Sequence, residues 1–268
     1  MSARQIGFAR DKALIGMIHV HALPGAPRSA RTVDEIADIA AAEAELLAGV
    51  GFDGLMIENM HDAPYLRAKA GPEIVACMTR VGMAVRAAAP AAPLGVQILA
   101  GANIEALAVA HAIGAIFIRV ENFVFSAVAD EGLLDEASAG PLLRERRRLG
   151  AGGVRILADI KKKHSSHALT ADVGVAETAR AAAFFGADGV IITGGATGEP
   201  TSLADLDAAR NAAELPTLVG SGATDESLQE LLQRADAVIV GSWIKRDGLW
   251  SNPIDHDRAA RIVEAGRG

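Results

Sequence analysis

The chain holds one cysteine, Cys77, in 268 residues, so no disulfide can form within it. Its place in an apolar helical pattern predicts a packed thiol in a reducing compartment. Long apolar runs are missing too. None reaches the roughly 20 residues that a membrane helix needs, and no integral membrane segment is expected. The first 12 residues form a polar extension with charges at Arg4, Arg10, Asp11 and Lys12, without the apolar core of a signal peptide. A cytoplasmic protein is expected. Positive charge is also short: Lys and Arg number 26 against 33 Asp and Glu, a net charge of -7, and cations cluster only at 144–148 and 161–163. That balance speaks against nucleic acid as a partner. The 144–148 run falls on an expected outer helix and reads as a solvated face or a subunit contact in a homo-oligomer. No G-x-G-x-x-G follows the first apolar run and no Walker A sequence occurs, which removes support for the two commonest nucleotide folds.

Half of the chain is apolar, enough for a large core within one domain of residues 1–268. Short apolar runs read as strands at 14–20, 54–58, 94–99, 116–120, 154–160, 189–193, 217–219 and 238–240. Ala-rich amphipathic stretches read as helices at about 32–49, 72–89, 103–113, 138–149, 172–185, 202–214, 225–234 and 255–265. Thr32 with Glu35 forms a capping box, and Gly49, Gly51, Gly114 and Gly186 lie where helices should stop. Phrases such as Gly-Phe-Asp-Gly and Gly-Ala-Asp-Gly recur at helix-to-strand junctions. Eight strand–helix cycles predict an α/β protein with a (β/α)8 TIM-barrel fold. The connections 24–31 and 121–136 are long enough to be lids.

Two late strands end on glycine and serine, at Gly220-Ser221-Gly222 and Gly241-Ser242. After the seventh and eighth strands of a barrel, such loops cradle phosphate: bare backbone N–H groups approach the oxygens and a following helix N-terminus adds its dipole. Thr193 and Gly194 touch the same anion in this reading, and Lys245 supplies a point charge. Tight turns also need glycine, but that alone does not explain serine in both loops. A phosphorylated small molecule is the expected ligand.

Catalytic groups belong at the carboxyl ends of barrel strands. His19, Glu58, Arg119, Asp159, Lys163 and His164 sit there. Glu58 or Asp159 is a general base if the mouth raises its pKa, or else a carboxylate ion-paired with Arg119 or Lys163. Period-two alternation places Asp159, Lys161 and Lys163 on one face, and a Schiff-base lysine is a further reading. His19 and His21 have the spacing of paired metal ligands, as a metal-dependent hydrolase would need. The remaining ligands of such a site are missing, so no metal is favoured and His21 reads as a loop residue. Trp243 and Trp250 read as core or interface anchors.

From Gly16-Met-Ile-His19 through Asn252-Pro253-Ile-Asp255 the chain resembles the BtpA/SgcQ family of ribulose-phosphate-binding-type barrels. The resemblance is carried by Ile57-Glu58-Asn59, Asp62-Ala-Pro64, Phe117-Ile-Arg119-Val, Ala158-Asp159, Lys163-His164, Thr193-Gly194 and Thr197-Gly198. It continues through Gly220-Ser221-Gly222, Val240-Gly241, Lys245 and Asp247-Gly248. It implies a TIM barrel, with members linked to photosystem I biogenesis and others in sugar-utilisation contexts. This chain departs from the family pattern at Gln97 and Glu121, where the family has Asn, and at Leu99-Ala100-Gly101-Ala102 and Asp130-Glu131-Gly132.

The expected protein is thus a barrel binding a phosphorylated sugar or nucleoside-derived metabolite, with isomerase or lyase chemistry by proton transfer and no required cofactor. The alternatives are a non-catalytic photosystem I assembly factor and the metal-dependent hydrolase.

Overall fold

Short β-branched runs that alternate with Ala-rich helices leave few topologies open, because a parallel strand must be followed by a crossover before the next one. A computed structural model, which describes residues 1–194 and 200–268, resolves this as a closed barrel. Its parallel strands are β1 (Ala13–His19), β2 (Gly54–Glu58), β3 (Leu94–Gln97), β4 (Phe117–Val120), β7 (Arg155–Ile160), β9 (Gly189–Ile192), β10 (Thr217–Val219) and β11 (Ala237–Val240). They close in the order β1-β11-β10-β9-β7-β4-β3-β2. The outer ring is α1 (Val33–Val50), α2 (Pro72–Ala88), α3 (Asn103–Ala112), α4 (Ala139–Arg148), α5 (Val175–Phe184), α6 (Leu203–Ala212), α7 (Leu228–Arg234) and α8 (His256–Arg267). Thr197 and Gly198 of the family resemblance lie outside the described residues.

Alternation along each strand divides the core in two. Outward residues such as Leu14, Ile18, Val96 and Ile156 pack under the helices. Inward residues, among them Ile15, Met17, Met56, Phe117, Leu157, Ile191, Leu218 and Ile239, fill the barrel. Gly95 makes room for the largest of these, since a Cβ there would lie 2.1 Å from the Phe117 ring. The amino-terminal segment is more than a polar extension. Its Ala3, Ile6 and Phe8 are buried in the inner cluster and plug the base of the barrel.

The recurring Asp-Gly phrases, and the aspartate of Asp236-Ala237, have a structural reason. Asp53, just before β2, accepts the Leu14 amide of β1 at 2.8 Å; Asp188, before β9, accepts the Ile156 amide of β7 at 2.9 Å; Asp236, before β11, accepts the Thr217 amide of β10 at 3.0 Å. Each aspartate thus bridges to the neighbouring strand at the base and helps set its register. Helix α1 starts on the expected box: Thr32 Oγ1 accepts the Glu35 amide at 3.3 Å while the Glu35 carboxylate accepts the Thr32 amide at 2.7 Å. Within the 144–148 run, Arg146 is neither a solvated face nor a free subunit contact, because its guanidinium pairs with Asp188 at 2.6 Å.

The 121–136 connection contains a hairpin, β5 (Ala127–Ala129) and β6 (Gly132–Leu134), to which β8 (Ser165–Ser166) adds. Its turn carries Asp130 and Glu131 over the mouth, whereas the 24–31 connection contributes nothing to the cavity there among the described residues. No described helix is long and apolar enough to cross a membrane.

Candidate active site

Two residues past the inner apolar layer, the same alternation delivers polar side chains to the carboxyl ends of the strands. His19 of β1, Glu58 of β2, Gln97 of β3, Arg119 of β4 and Asp159 of β7 line one open cavity of about 390 Å³. Gly220 and Gly241, the residues following β10 and β11, complete the ring. Gly220 has a steric reason: a Cβ there would lie 2.5 Å from Ile191 and 3.1 Å from the Arg119 guanidinium.

Arg119 and Asp159 form a buried two-pronged pair, Nε to Oδ2 at 2.9 Å and Nη2 to Oδ1 at 3.0 Å. Burial works against the guanidinium, but Asp159 beside it more than offsets this, so Arg119 is held as a cation. Asp159 is thereby committed as a partner of Arg119, which removes it as a free base and leaves that role to Glu58. Burial raises the pKa of Glu58 against the opposing pull of Arg119 and Lys163.

His19 Nδ1 lies 2.9 Å from the Trp250 carbonyl, an acceptor, so Nδ1 carries the proton and Nε2 keeps its lone pair. That Nε2 lies 3.8 Å from Glu58 Oε2. Burial, helped by Lys245, lowers the His19 pKa to about 3, and the ring is neutral. His21 does not join it as a metal ligand; its ring stacks on His61 at 4.8 Å. Among the described residues no group of three or more His, Cys, Asp or Glu is arranged to hold a metal ion. Trp250 also differs from the expected core anchor: its ring lies 4.8 Å from His61, and it lines the cavity. Trp243 carries the Arg258 guanidinium 4.3 Å over its ring.

The lysine run corrects the period-two reading. The strand ends at Ile160 and Lys161 adopts φ 49°, a left-handed turn that rotates the following side chains. Lys161 therefore turns away to Thr170, at 2.8 Å from its carbonyl. Lys162, Lys163 and His164 line the cavity instead. Lys162 pairs with Glu121 at 3.1 Å. Lys163 has no hydrogen-bond partner for its Nζ among the described residues, and burial followed by the Arg119 charge lowers its pKa to about 8.

The expected phosphate site narrows. The Gly220 amide is spent on the Ile192 carbonyl at 2.8 Å, because that bond continues the β9–β10 ladder. The Gly194 amide donates to Ser221 Oγ at 3.1 Å, and Thr193 Oγ1 accepts the Lys163 amide at 3.1 Å, so both residues brace the loops from behind. Lys245 is not at the mouth: it is 1% exposed and holds Glu43 of α1 at 2.9 Å, since the turn Ser242–Ile244 swings it under the helices. Helix α7 begins at Leu228, three residues later than expected, with the Leu228 amide donating back to the Thr224 carbonyl at 3.0 Å. The amides of Ser221, Gly222, Gly241 and Ser242 have no acceptor among the described residues, and all four residues border the cavity.

Sequence reasoning undervalued the opposite wall. Gln97, Glu121, Glu131 and Lys162 all border the cavity. The signal for Gln97 was the alternation itself, one step past Gly95, and for Glu121 and Glu131 the departure from the family pattern; for Lys162, which follows the left-handed Lys161, there was none.

Comparison with known proteins agrees with the barrel. Orotidine 5'-phosphate decarboxylase from Pyrococcus horikoshii superposes with a TM-score of 0.57 at 13% identity, covering 95% of this chain and 99% of that one. 3-Hexulose-6-phosphate synthase superposes at 0.55 with 15% identity, covering 94% and 99%. In sequence, a Caenorhabditis elegans protein described as mitochondrial is 45% identical over 94% of this chain and 91% of its own. The Synechocystis photosystem I biogenesis protein BtpA is 37% identical over 96% and 89%. The BtpA family profile matches residues 10–268, and the chain belongs to the BtpA family.

Proposed function

We propose that this protein is an enzyme that binds a phosphorylated sugar or nucleoside-derived metabolite and works on it by proton transfer, as an isomerase or lyase. One observation carries the reading. A single open cavity has unpartnered backbone amides on one side, at Ser221, Gly222, Gly241 and Ser242, and Glu58 and Lys163 beside them with pKa values displaced toward neutrality. The phosphate accepts the amides. Glu58, as carboxylate, takes a proton from a substrate carbon next to a carbonyl, and Lys163, as ammonium, protonates the oxygen on which the electron pair collects. Return of the proton from Glu58 to the former carbonyl carbon, while the adjacent hydroxyl gives its proton to the Lys163 amine and becomes the new carbonyl, completes an isomerisation. In the lyase outcome Glu58 instead takes the proton of a hydroxyl β to the carbonyl, the carbon–carbon bond breaks as that oxygen becomes a carbonyl, and the electron pair collects on the oxygen that Lys163 protonates; a glycosidic bond breaks by elimination from the enolate left when Glu58 takes the carbon-bound proton, its oxygen leaving with the proton of Lys163. Arg119, fixed by Asp159, lends positive charge to the same end. No cofactor is invoked. The phosphorylated ligands in the names of the structural neighbours are consistent with this assignment.

A second reading, a non-catalytic assembly role, is favoured only by the name of the Synechocystis relative. It calls for no polar, open mouth. Calorimetric titration with inorganic phosphate and a sugar phosphate, on the native chain and on Ser221→Asp, tests the proposal. Affinity should drop at least about tenfold in the variant, which places a carboxylate against the anion. Equal affinity in the two proteins removes the anion site.

A further inference from the structure

Three acceptor atoms inside the cavity wall have no hydrogen-bond donor among the described residues: Gln97 Oε1, Glu121 Oε2 and Glu131 Oε2. Gln97 is 2% exposed and Glu121 7%. A buried acceptor left without a donor carries an unreturned desolvation cost, which a water or a ligand hydroxyl in the cavity relieves by supplying the donor. The three come from separate elements. Gln97 ends β3, Glu121 follows β4, and Glu131 hangs from the β5–β6 turn.

Their placement is set by the topology. In the closed order β1-β11-β10-β9-β7-β4-β3-β2, β3 stands four places from β10 and β4 four places from β11. Four places in a ring of eight is straight across. The orphaned acceptors therefore face the Gly220 and Gly241 loops over the full width of the mouth. A molecule anchored by its anionic end on those loops presents its far end to Gln97, Glu121 and Glu131.

The charges decide what that end must carry. Glu121 already has a cation, with Lys162 on its Oε1 at 3.1 Å, the same ammonium feels the Glu131 carboxylate, and Gln97 is neutral. The wall thus lacks hydrogen-bond donors more than it lacks positive charge. Neutral hydroxyls meet that need without bringing a second ammonium into the site.

We propose that Gln97, Glu121 and Glu131 form a recognition wall for a polyhydroxylated group at the end of the ligand opposite its phosphate. The inference rests on the reading above for the anionic end and adds the chemical class of the other. These residues act as specificity determinants, since analogues without hydroxyls leave buried acceptors unpaired.

Calorimetric titration of the full chain with three probes tests it: inorganic phosphate, ribose 5-phosphate and 2-aminoethyl phosphate. Ribose 5-phosphate should bind about tenfold or more tightly than inorganic phosphate, and 2-aminoethyl phosphate should gain nothing comparable. In Gln97→Met and in Glu131→Leu most of the ribose 5-phosphate advantage should vanish while affinity for inorganic phosphate holds. Melting of Gln97→Met checks folding, and its Tm should equal or exceed that of the native chain because an unsatisfied buried group is gone. An advantage that survives both substitutions, or a gain for the amine instead of the sugar, overturns the wall and leaves the anion site standing. Ribose 5-phosphate binding that survives Ser221→Asp but falls in Gln97→Met removes the anion site alone. No binding of any probe removes both.

Discussion

His19 Nε2 faces the Glu58 carboxyl across 3.8 Å, while the other ring nitrogen of His19 is tied to the Trp250 carbonyl at 2.9 Å. The two side chains end neighbouring strands, paired His19 to Glu58 in the β1–β2 register. Burial acts on them in opposite directions: it holds the imidazole neutral and makes the carboxylate harder to form.

His19 makes the fold acid-sensitive. Its folded pKa of about 3 lies below the ordinary 6.5, so its contribution is present above pH 6.5 and is lost as the pH falls toward 3. The slope from this residue is about 1.4 kcal/mol per pH unit. Urea unfolding between pH 7 and pH 4 should show a shallower decline in His19→Asn, and long-range ¹H–¹⁵N spectra should show the Nδ1–H tautomer at pH 6.

Glu58 has the reverse sign. Its folded pKa is raised, so its contribution is fully present below about 4.5 and is lost as the pH climbs through the displaced value. Glu58→Gln should therefore be more stable than the native chain at pH 7.5, by on the order of 1 kcal/mol. The gain should shrink toward pH 4.5 in urea unfolding. Turnover, once a substrate is in hand, should fall at least about 100-fold.

Breaking the Arg119–Asp159 pair leaves one buried charge unpaired. Arg119→Met and Asp159→Leu should each destabilise by about 3–5 kcal/mol, and the double variant by clearly less than their sum. Chemical denaturation of the four proteins closes the cycle.

Lys163 should stand out among the lysines. Competitive acetylation followed by mass spectrometry, over pH 6 to 11, should give it a titration midpoint near 8, whereas exposed lysines titrate near 10.4. Acetylation or prior binding of a sugar phosphate should protect it from further labelling.

Most of the barrel was legible because its signals are local. Apolar runs, helix caps and the Asp-Gly junctions are read over a few residues, and the strand ends differ from expectation by no more than one position except in β3, which stops at Gln97, two short of the expected end. Period two then carried His19, Glu58, Arg119 and Asp159 to the mouth, since each lies on a regular strand. The lysines were harder. Alternation holds only while φ stays extended, and the left-handed Lys161 reversed which neighbours face inward.

Local order along the chain fixes the eightfold strand–helix succession, the alternation that separates an inner from an outer core, and the polar identity of the strand ends. Tertiary structure decided who partners whom. Lys245 and Glu43 are 202 positions apart, and Arg119 and Asp159 are 40 apart. Only closure of the ring showed that one lysine was consumed by a helix, that the Gly220 amide was spent on its neighbouring strand, and that Gln97 faces the glycine loops. The physical reason is one of range: backbone periodicity is set within a turn or a strand, whereas a hydrogen-bond partner is chosen by whatever the completed fold brings within about 3 Å.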